Sequence, residues 1–303
     1  MLFHKKEQTK EERKKAAPIL EVRDLHYAYN DEKHALNGVS LQIREGEKIA
    51  VLGANGAGKS TFFLSINGVL RPHRGEIFYR GELITKKKLN HLRKNVGIVF
   101  QDADNQIIAS TVMGEVSFGP MNLKLPREEV LRRVDKALSY MNITEFRDRP
   151  PHYLSGGEKK RVSIADIIAM ESEVIVFDEP TAALDPLNAQ MLEEVLAKMG
   201  VEGRTILLST HDVDFAWRWA ERIIVFHQGK VIADDTPLRV FQQEDLLRRA
   251  NLKHPMLFDV YDTLVRKGVV PAGGPYPRNI EEFDELVNCL WVHDSRNHII
   301  FHS

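Results

Sequence analysis

Cysteine is almost absent from this chain of 303 residues, which contains only Cys289. A single cysteine cannot form a disulfide within the chain, so the fold must depend on its hydrophobic core and hydrogen bonds. This composition fits a reducing, cytosolic location.

The sequence also lacks a long apolar segment and an excess of charge of either sign. No apolar run approaches the roughly 18 residues that a membrane-spanning helix needs. If the protein acts at a membrane, we therefore expect another chain to cross it. Lys and Arg total 42 against 43 Asp and Glu, which gives a net charge of −1. This balance argues against a nucleic-acid binder that works through a globally basic face.

The two ends of the chain differ in composition from its middle. Residues 1–17 are rich in charge and have no apolar core of the kind that a signal peptide requires, so we interpret them as a charged arm. From about residue 246 the strand patterns stop, and helical patterns alternate with turns rich in Pro and Gly. We therefore predict a nucleotide-binding domain at 18–245 and a C-terminal helical extension at 246–303.

Short apolar segments alternate with helical patterns through the middle of the chain. The segments at 49–52 and 174–177 are continuous apolar runs, which are typical of strands buried in a parallel sheet. Helical patterns at 158–170 and 186–199 lie beside them. This alternation predicts an α/β fold, with a mostly parallel sheet and helices on both faces.

The strand pattern at 49–52 leads into a loop that reads Gly-Ala-Asn-Gly-Ala-Gly-Lys-Ser-Thr, and a helical pattern follows. This order suits a phosphate, because the glycines let backbone N–H groups turn inward and the helix N-terminus faces the same anion. Lys59 would reach the β- and γ-phosphates, and the Ser60 hydroxyl would coordinate Mg²⁺. The pattern alone could also be a glycine-rich surface turn. The residues expected to bind ATP are Gly53, Asn55, Gly56, Ala57, Gly58, Lys59, Ser60 and Thr61.

Polar residues follow the predicted strands at their carboxyl ends. Gln101 follows the strand at 96–100, the pair Asp178 and Glu179 follows 174–177, and His211 comes just after 205–209. Sites in open parallel sheets gather at this edge. We therefore expect these side chains to lie near the glycine-rich loop.

A second motif, Leu154-Ser155-Gly156-Gly157-Glu158, completes a set of motifs that occur in a characteristic order. The set consists of the loop at Gly53, Gln101, this motif, Asp178-Glu179, Ala183-Leu184-Asp185 and His211. Over about residues 19–241, the chain resembles the nucleotide-binding subunit of ATP-binding cassette transporters. The resemblance implies a P-loop NTPase fold with a helical subdomain at about 102–165, and hydrolysis of ATP with Mg²⁺.

The resemblance and the chemistry of phosphoryl transfer assign roles to these residues. Asp178 would hold Mg²⁺ through its water shell, where the alternative is a helix-capping or turn residue. Glu179 is the candidate general base for the attacking water, where the alternative is a surface carboxylate. Gln101 resembles the glutamine that touches Mg²⁺ and water, and His211 resembles the histidine that hydrogen-bonds the γ-phosphate. Together with Lys59, the candidate catalytic residues are Glu179, His211 and Gln101.

Ser155 and Gly157 resemble the signature that reaches the γ-phosphate of ATP bound to an opposite subunit. Two complete sites would then require two chains arranged head to tail, most simply a homodimer, and Asp185 would cross their interface. Tyr29 is the ring expected to stack on adenine, an interaction worth about 1–3 kcal/mol per base. Tyr27 is the alternative ring, and core packing would also explain either tyrosine.

The segments 100–106, 150–153 and 158–162 resemble the energy-coupling factor importers, and most of all their cobalt or nickel branch. In that family the ATPase works beside a membrane scaffold subunit and a membrane substrate-capture subunit. We therefore expect a peripheral protein at the cytoplasmic face of the membrane. A vitamin importer is the alternative within this family.

Two other function classes remain as alternatives. One is a soluble cassette ATPase that acts on chromosomes or ribosomes, but the segment between Gln101 and Leu154 is too short for the coiled coils of DNA-repair members. The other is a binding module without turnover, against which the intact Lys59, Glu179 and His211 argue.

An acidic pair and a group of C-terminal histidines are two further features of the sequence. Asp102 and Asp104 would line a groove that receives basic coupling helices of the scaffold, and a solvated acidic face is the alternative. His293, His298 and His302 have spacings that fit no compact ligand set, so we expect no metal site in this tail.

Overall fold

The computed structural model describes residues 17–30, 34–182 and 184–294, with side chains as far as residue 288. Several features named above lie outside the described residues. These are residues 1–16 of the charged arm, Ala183, His298 and His302, and the side chains of Cys289 and His293.

Strands in the described residues form two sheets. In chain order they are β1 (Leu20–Ala28), β2 (His34–Ile43), β3 (Lys48–Leu52), β4 (Arg74–Tyr79), β5 (Glu82–Leu83), β6 (Val96–Val99), β7 (Val174–Phe177), β8 (Thr205–Ser209), β9 (Arg222–His227) and β10 (Lys230–Asp235). The larger sheet has the order β10-β9-β3-β8-β7-β6, and all its pairs are parallel except β9 with β10. This confirms the predicted mostly parallel sheet. Strand β10 was not predicted.

The first strands do not join the parallel sheet. They form a separate antiparallel sheet with the order β2-β1-β4-β5, which was not predicted as a separate layer. The short connection between β1 and β2 favours their antiparallel pairing, because parallel neighbours need a crossover of roughly a dozen residues or more.

Helices in the described residues agree with the predicted ones, with bounds that differ by a few residues. They are α1 (Lys59–Ile66), α2 (Leu89–Asn95), α3 (Val112–Asn122), α4 (Arg127–Tyr140), α5 (Gly156–Met170), α6 (Pro186–Val201), α7 (Val213–Trp219), α8 (Pro237–Phe241), α9 (Glu244–Ala250), α10 (Met256–Arg266) and α11 (Ile280–Asp294). Helices α2, α7 and α8 were not predicted. Within the described part of the chain, no helix has the length and apolar character that crossing a membrane requires.

The alternation of side chains along β3 explains how the layers are held together. Ala50 and Leu52 face one core, which includes residues of α3 to α7, whereas Ile49 and Val51 face a second core. That second core also contains Phe62 and Phe63 of α1 and apolar side chains of the antiparallel sheet. Helix α1 is therefore fixed between the two sheets, and the loop before it is fixed with it.

The C-terminal helices pack against α7, the helix that begins two residues after His211. The indole N–H of Trp217 donates to the carbonyl oxygen of Pro277 over 2.9 Å, and Nε of Arg278 donates to the carbonyl oxygen of Trp217 over 2.7 Å. The ring of Phe258 lies edge-on to Trp217, with 5.6 Å between the ring centroids. Residues beyond the parallel sheet thus buttress the helix next to one edge of the candidate site.

We expect Phe258→Ala to lower the free energy of unfolding by about 3–5 kcal/mol, because it leaves a cavity beside Trp217. Phe258 is only 2% exposed, whereas Met256 in the same helix is 70% exposed. Met256→Ala is therefore the matched control, with an expected change within about 0.5 kcal/mol. Urea denaturation followed by tryptophan fluorescence measures both, and equal losses would show that the extension does not contribute this packing.

Candidate functional site

The glycine-rich loop wraps around the ammonium group of Lys59. Its Nζ donates to the carbonyl oxygens of Gly53 and Ala54 over 2.6 and 3.3 Å, and the residue is 6% exposed. Burial lowers the pKa of Lys59, and the nearby carboxylates oppose this shift. The loop thus presents a buried cation where the sequence predicts phosphates.

Two close approaches of backbone fix the path of this loop. Gly53 has φ of 140°, and a Cβ there would lie 2.3 Å from the carbonyl oxygen of Phe226 in β9. Gly58 has φ of 109°, and a Cβ there would lie 2.4 Å from the carbonyl oxygen of Ala35 in β2. Glycine is required at both positions for conformation and for space. Among the remaining loop residues, Asn55, Gly56 and Ser60 are exposed, whereas Ala57 and Thr61 are buried.

The carboxylates of Asp178 and Glu179 lie at the end of β7 and are almost buried, at 8% and 9% exposure. Ser209, at the end of the neighbouring β8, donates its hydroxyl to Oδ1 of Asp178 over 2.7 Å and accepts the N–H of Glu179 over 2.8 Å. Glu179 also has a positive φ of 44°, which is uncommon for a residue with a side chain. Ser209 was missed by the sequence reading, although a serine that ends an apolar strand at this edge is a recognisable signal.

Glu179 is brought together with Lys59 and His211. Its Oε1 lies 2.9 Å from Nε2 of His211 and 3.7 Å from Nζ of Lys59. Burial raises the pKa of Glu179, while His211 and Lys59 act to lower it. Within the described residues, Oε1 is buried and receives no well-directed hydrogen bond. The arrangement offers a proton acceptor beside two groups that can carry positive charge.

The backbone at Gln101 is held by contacts with α5, the helix that begins within the signature motif. Nζ of Lys160 donates to the carbonyl oxygens of Phe100 and Gln101 over 2.8 and 2.6 Å. Lys160 is 3% exposed, and burial lowers its pKa to about 8. The amide of Gln106 accepts the N–H of Phe100 over 3.2 Å and donates to the carbonyl oxygen of Ser163 over 3.1 Å. The sequence reading did not single out Lys160 or Gln106.

The signature motif and Asp185 lie together. Ser155 caps α5, where its hydroxyl accepts the N–H of Glu158 and the Glu158 carboxylate accepts the N–H of Ser155. Gly157 leaves space for the amide of Asn188, since a Cβ on Gly157 would lie 2.4 Å from the Asn188 Cγ. Nδ2 of Asn188 in turn donates to Oδ2 of Asp185 over 2.7 Å. Asn188 was missed by the sequence reading.

Ser155, Gly157 and Asp185 are not joined to the glycine-rich loop of their own chain. No hydrogen bond or ion pair of the described residues connects any of the three with residues 53–61. The predicted site residues therefore fall into two groups. One surrounds Lys59 and Glu179, and the other surrounds the N-terminus of α5.

The two candidate rings for adenine differ in their surroundings. Tyr29 is 54% exposed, and its hydroxyl lies 3.2 Å from Oγ1 of Thr61. Tyr27 packs against the core and stacks on His73, with 5.2 Å between the ring centroids. Only Tyr29 combines an exposed ring with a direct contact to the loop.

Asp102 and Asp104 are both exposed, and each has a local partner. Oδ1 of Asp102 accepts the N–H of Asp104 over 2.9 Å, so Asp102 caps the turn at Ala103–Asn105. Oδ1 of Asp104 accepts a hydrogen bond from Nζ of Lys159 over 2.6 Å. Asp102 therefore has a structural role in the turn. The contact of the Asp104 carboxylate with Lys159 is an ion pair near the surface and does not cap a turn.

The fold and this grouping of residues define a P-loop ATPase of the ATP-binding cassette class. The family model described as ABC transporter matches residues 36–182. The energy-coupling factor transporter ATP-binding protein EcfA of Methanocaldococcus jannaschii is 46% identical over 255 residues, which cover 84% of this chain and 91% of that protein. The chain belongs to the ABC transporter family, in the branch of energy-coupling factor ATP-binding proteins.

Solved structures show the same relationship. CbiO1 from Clostridium perfringens, part of the ABC transporter complex CbiONQ, is 41% identical with a TM-score of 0.69, and the match covers 82% of this chain and 100% of that one. A dimeric ATP-binding cassette in a post-hydrolysis state, bound to ADP and Pi, is 30% identical with a TM-score of 0.65. The match covers 72% of this chain and 98% of that one. The chain is accordingly an ATPase of the class that is coupled to transport, and it has a CbiO-like structure.

We expect Gly58→Ala to lower the free energy of unfolding more than Gly56→Ala does. Both glycines have positive φ, for which a residue with a Cβ costs roughly 1–2 kcal/mol. A Cβ on Gly58 also meets backbone of β2, whereas one on Gly56 has no atom within 4 Å. Thermal unfolding of the nucleotide-free variants measures the difference, and equal midpoints would contradict the close approach of the loop to Ala35.

Proposed function

We propose that this chain is the ATP-hydrolysing subunit of an energy-coupling factor importer, and that its cargo is cobalt or nickel ions. The observation that carries the catalytic part is the convergence of Lys59, Glu179 and His211, with Glu179 within 3.7 Å of both partners. The alternative is a vitamin importer, which would use the same ATPase chemistry. The cargo rests on the resemblance of segments 100–106, 150–153 and 158–162, and on the likeness to CbiO1.

Hydrolysis of ATP breaks the bond between the γ-phosphorus and the bridging oxygen, while water forms the new bond. Lys59 and the N–H groups of the loop bind the phosphates and oppose their charge. Glu179 accepts the proton of the attacking water on its carboxylate, and its raised pKa brings it closer to the range of an effective base. His211, which lies beside Glu179, would donate to a γ-phosphate oxygen.

The residues predicted to hold Mg²⁺ offer oxygen atoms, which this ion prefers as ligands, and it commonly shares its shell with substrate phosphates. Ser60 offers an exposed hydroxyl at the start of α1, Asp178 a carboxylate, and Gln101 an amide oxygen. The described residues contain no group of three or more His, Cys, Asp and Glu side chains that could hold a metal by themselves. We propose that the ion is held partly by nucleotide and that its charge would offset that of the phosphates.

Two chains would complete each site. Within the described residues, Ser155, Gly157 and Asp185 form no hydrogen bond or ion pair with the loop of their own chain, and each is bonded or packed near the N-terminus of α5, which supports their action on ATP bound to a partner subunit. A cassette with 30% identity is dimeric with ADP and Pi bound. We propose a head-to-tail homodimer in which Tyr29 stacks on adenine, Gly53 to Thr61 bind the phosphates, and the signature of the partner closes the site.

We further propose that the dimer lies at the cytoplasmic face of the membrane. It would bind a membrane scaffold subunit and a membrane substrate-capture subunit, and no nucleic acid. The exposed apolar side chains of Ile108, Phe118 and Met121 in the helical subdomain, at 71%, 50% and 63% exposure, support a protein contact there. Closure of the dimer on ATP would then move the membrane subunits through this subdomain.

We expect Glu179→Gln to bind ATP and to trap a closed dimer, with hydrolysis slowed by about 10²–10⁴-fold, because the base is lost while the charge of Lys59 remains. Phosphate release and size-exclusion chromatography with ATP measure the two effects. Glu128→Gln, at an exposed glutamate of α4, is the control and should turn over like the wild type. Wild-type turnover in Glu179→Gln would show that another group is the base.

The function is tested by a tagged pull-down from detergent-solubilised membranes of the native host, with mass spectrometry of the partners and of bound metal. A scaffold together with a metal-capturing membrane subunit supports the cobalt or nickel importer. A vitamin-binding subunit would overturn the cargo, and a second distinct cassette subunit would overturn the homodimer. Failure of the purified chain to hydrolyse ATP would overturn the ATPase mechanism itself.

We expect Asp104→Lys to reduce recovery of the scaffold in this pull-down, because it reverses a charge in the groove proposed to receive basic helices. Asp104 is suited to this test because reversal at Asp102 would also remove the cap of the turn. The ATPase rate of the free dimer should remain that of the wild type, and Glu145→Lys, at another exposed carboxylate, is the control. Full recovery of the scaffold with Asp104→Lys would leave the solvated acidic face as the explanation.

A further inference from the structure

Two adjacent lysines of α5 have opposite surroundings. The side chain of Lys159 is 19% exposed and pairs with the exposed Asp104. Lys160 is 3% exposed, and its ammonium group donates to the carbonyl oxygens of Phe100 and Gln101. Burying an ammonium group is unfavourable unless it is hydrogen-bonded. An apolar side chain of similar length would fill this space without that penalty, so the bonds to the two carbonyls are what Lys160 adds.

A second connection runs beside the first. The side chain of Gln106 accepts the N–H of Phe100 and donates to the carbonyl oxygen of Ser163, one turn further along α5. The N–H and the carbonyl of Phe100 are therefore both held by side chains, and both side chains lead to α5. Helix α5 is independently fixed by Val162, Ile164 and Ala165, each at most 1% exposed. Its position thus does not depend on Lys160, whereas the backbone at Gln101 does depend on α5.

We propose that Lys160 is a positioning residue for hydrolysis, which fastens the backbone at Gln101 to the helix that carries Ser155 and Gly157. The inference rests on the proposed function, in which Gln101 faces the nucleotide of its own chain and the signature faces that of the partner. The two hydrogen bonds from Lys160 join the backbone at Gln101 to the helix that carries the signature, so that the two should move together. A displacement of Gln101 is thereby transmitted to the signature that closes the opposite site.

The test is Lys160→Met in the full-length chain, with phosphate release and the binding of a non-hydrolysable ATP analogue measured on the same preparation. We expect kcat to fall by about 10-fold or more, since small misplacements of a catalytic group have effects of this size. The dissociation constant of the analogue should stay within about 3-fold of wild type, because Lys59 and its loop are untouched. Lys159→Met is the matched control and should retain wild-type values for both.

A double-mutant cycle separates positioning from a general structural effect. If Lys160 acts through Gln101, Lys160→Met should change kcat by less than about 2-fold in the Gln101→Ala background, since coupled residues are not additive. Lys160→Arg keeps the charge and the donors, and it should restore most of the lost rate. Should Lys160→Met lower the thermal midpoint strongly, Lys160→Gln is assayed in its place by the same criteria.

Three results would overturn the proposal: wild-type kcat in Lys160→Met, losses that multiply in the Gln101→Ala background, or a loss of analogue affinity equal to the loss of kcat. These differ from a failure of the proposed function, in which the wild-type chain itself would not hydrolyse ATP. The control at Lys159 distinguishes both cases from a nonspecific effect of removing a positive charge from α5.

Discussion

The parallel pairing of β3 with β8 and of β8 with β7 is the constraint on which the candidate site depends. It aligns Val51 with Ser209, and Phe177 with Leu208, so that the three strands end side by side. The residues that follow these ends are the glycine-rich loop, Asp178 and Glu179, and His211. Because backbone hydrogen bonds fix this register, Nζ of Lys59, more than a hundred positions before Glu179 in sequence, lies 3.7 Å from the Oε1 of Glu179, and Nε2 of His211 lies 2.9 Å from the same oxygen.

The cost of this arrangement is the burial of charge. Lys59, Asp178 and Glu179 are each at most 9% exposed, and burial opposes ionisation of Lys59 and of Glu179. Mutual attraction, the carbonyls of the loop and the hydroxyl of Ser209 compensate part of this cost. Low exposure also strengthens every electrostatic interaction with a phosphate, which is the condition under which fixed donors and cations assist phosphoryl transfer most.

The second group of residues is organised around the N-terminus of α5. The capping of α5 by Ser155, the contact of Gly157 with Asn188 and the bond from Asn188 to Asp185 make the signature and the start of α6 one unit. Lys160 and Gln106 join the backbone at Gln101 to the same helix. One rigid helix therefore holds both the groups proposed to face a partner and a group proposed to sense nucleotide.

Sequence alone determined the mostly parallel sheet, the glycine-rich loop and the placement of polar residues at strand ends, because these depend on local patterns and on their order along the chain. It did not reveal the separate antiparallel sheet or strand β10, which depend on pairing between segments whose own patterns are ambiguous. It named Tyr29 as the ring for adenine with Tyr27 as the alternative, but both have the same residue type, and only the structure shows how their neighbours differ. Ser209, Lys160 and Asn188 also emerged only from the structure, because each acts through contacts with residues 30 to 60 positions away. Such contacts leave no periodic trace in the sequence, and only the packing of strands and helices brings their atoms together.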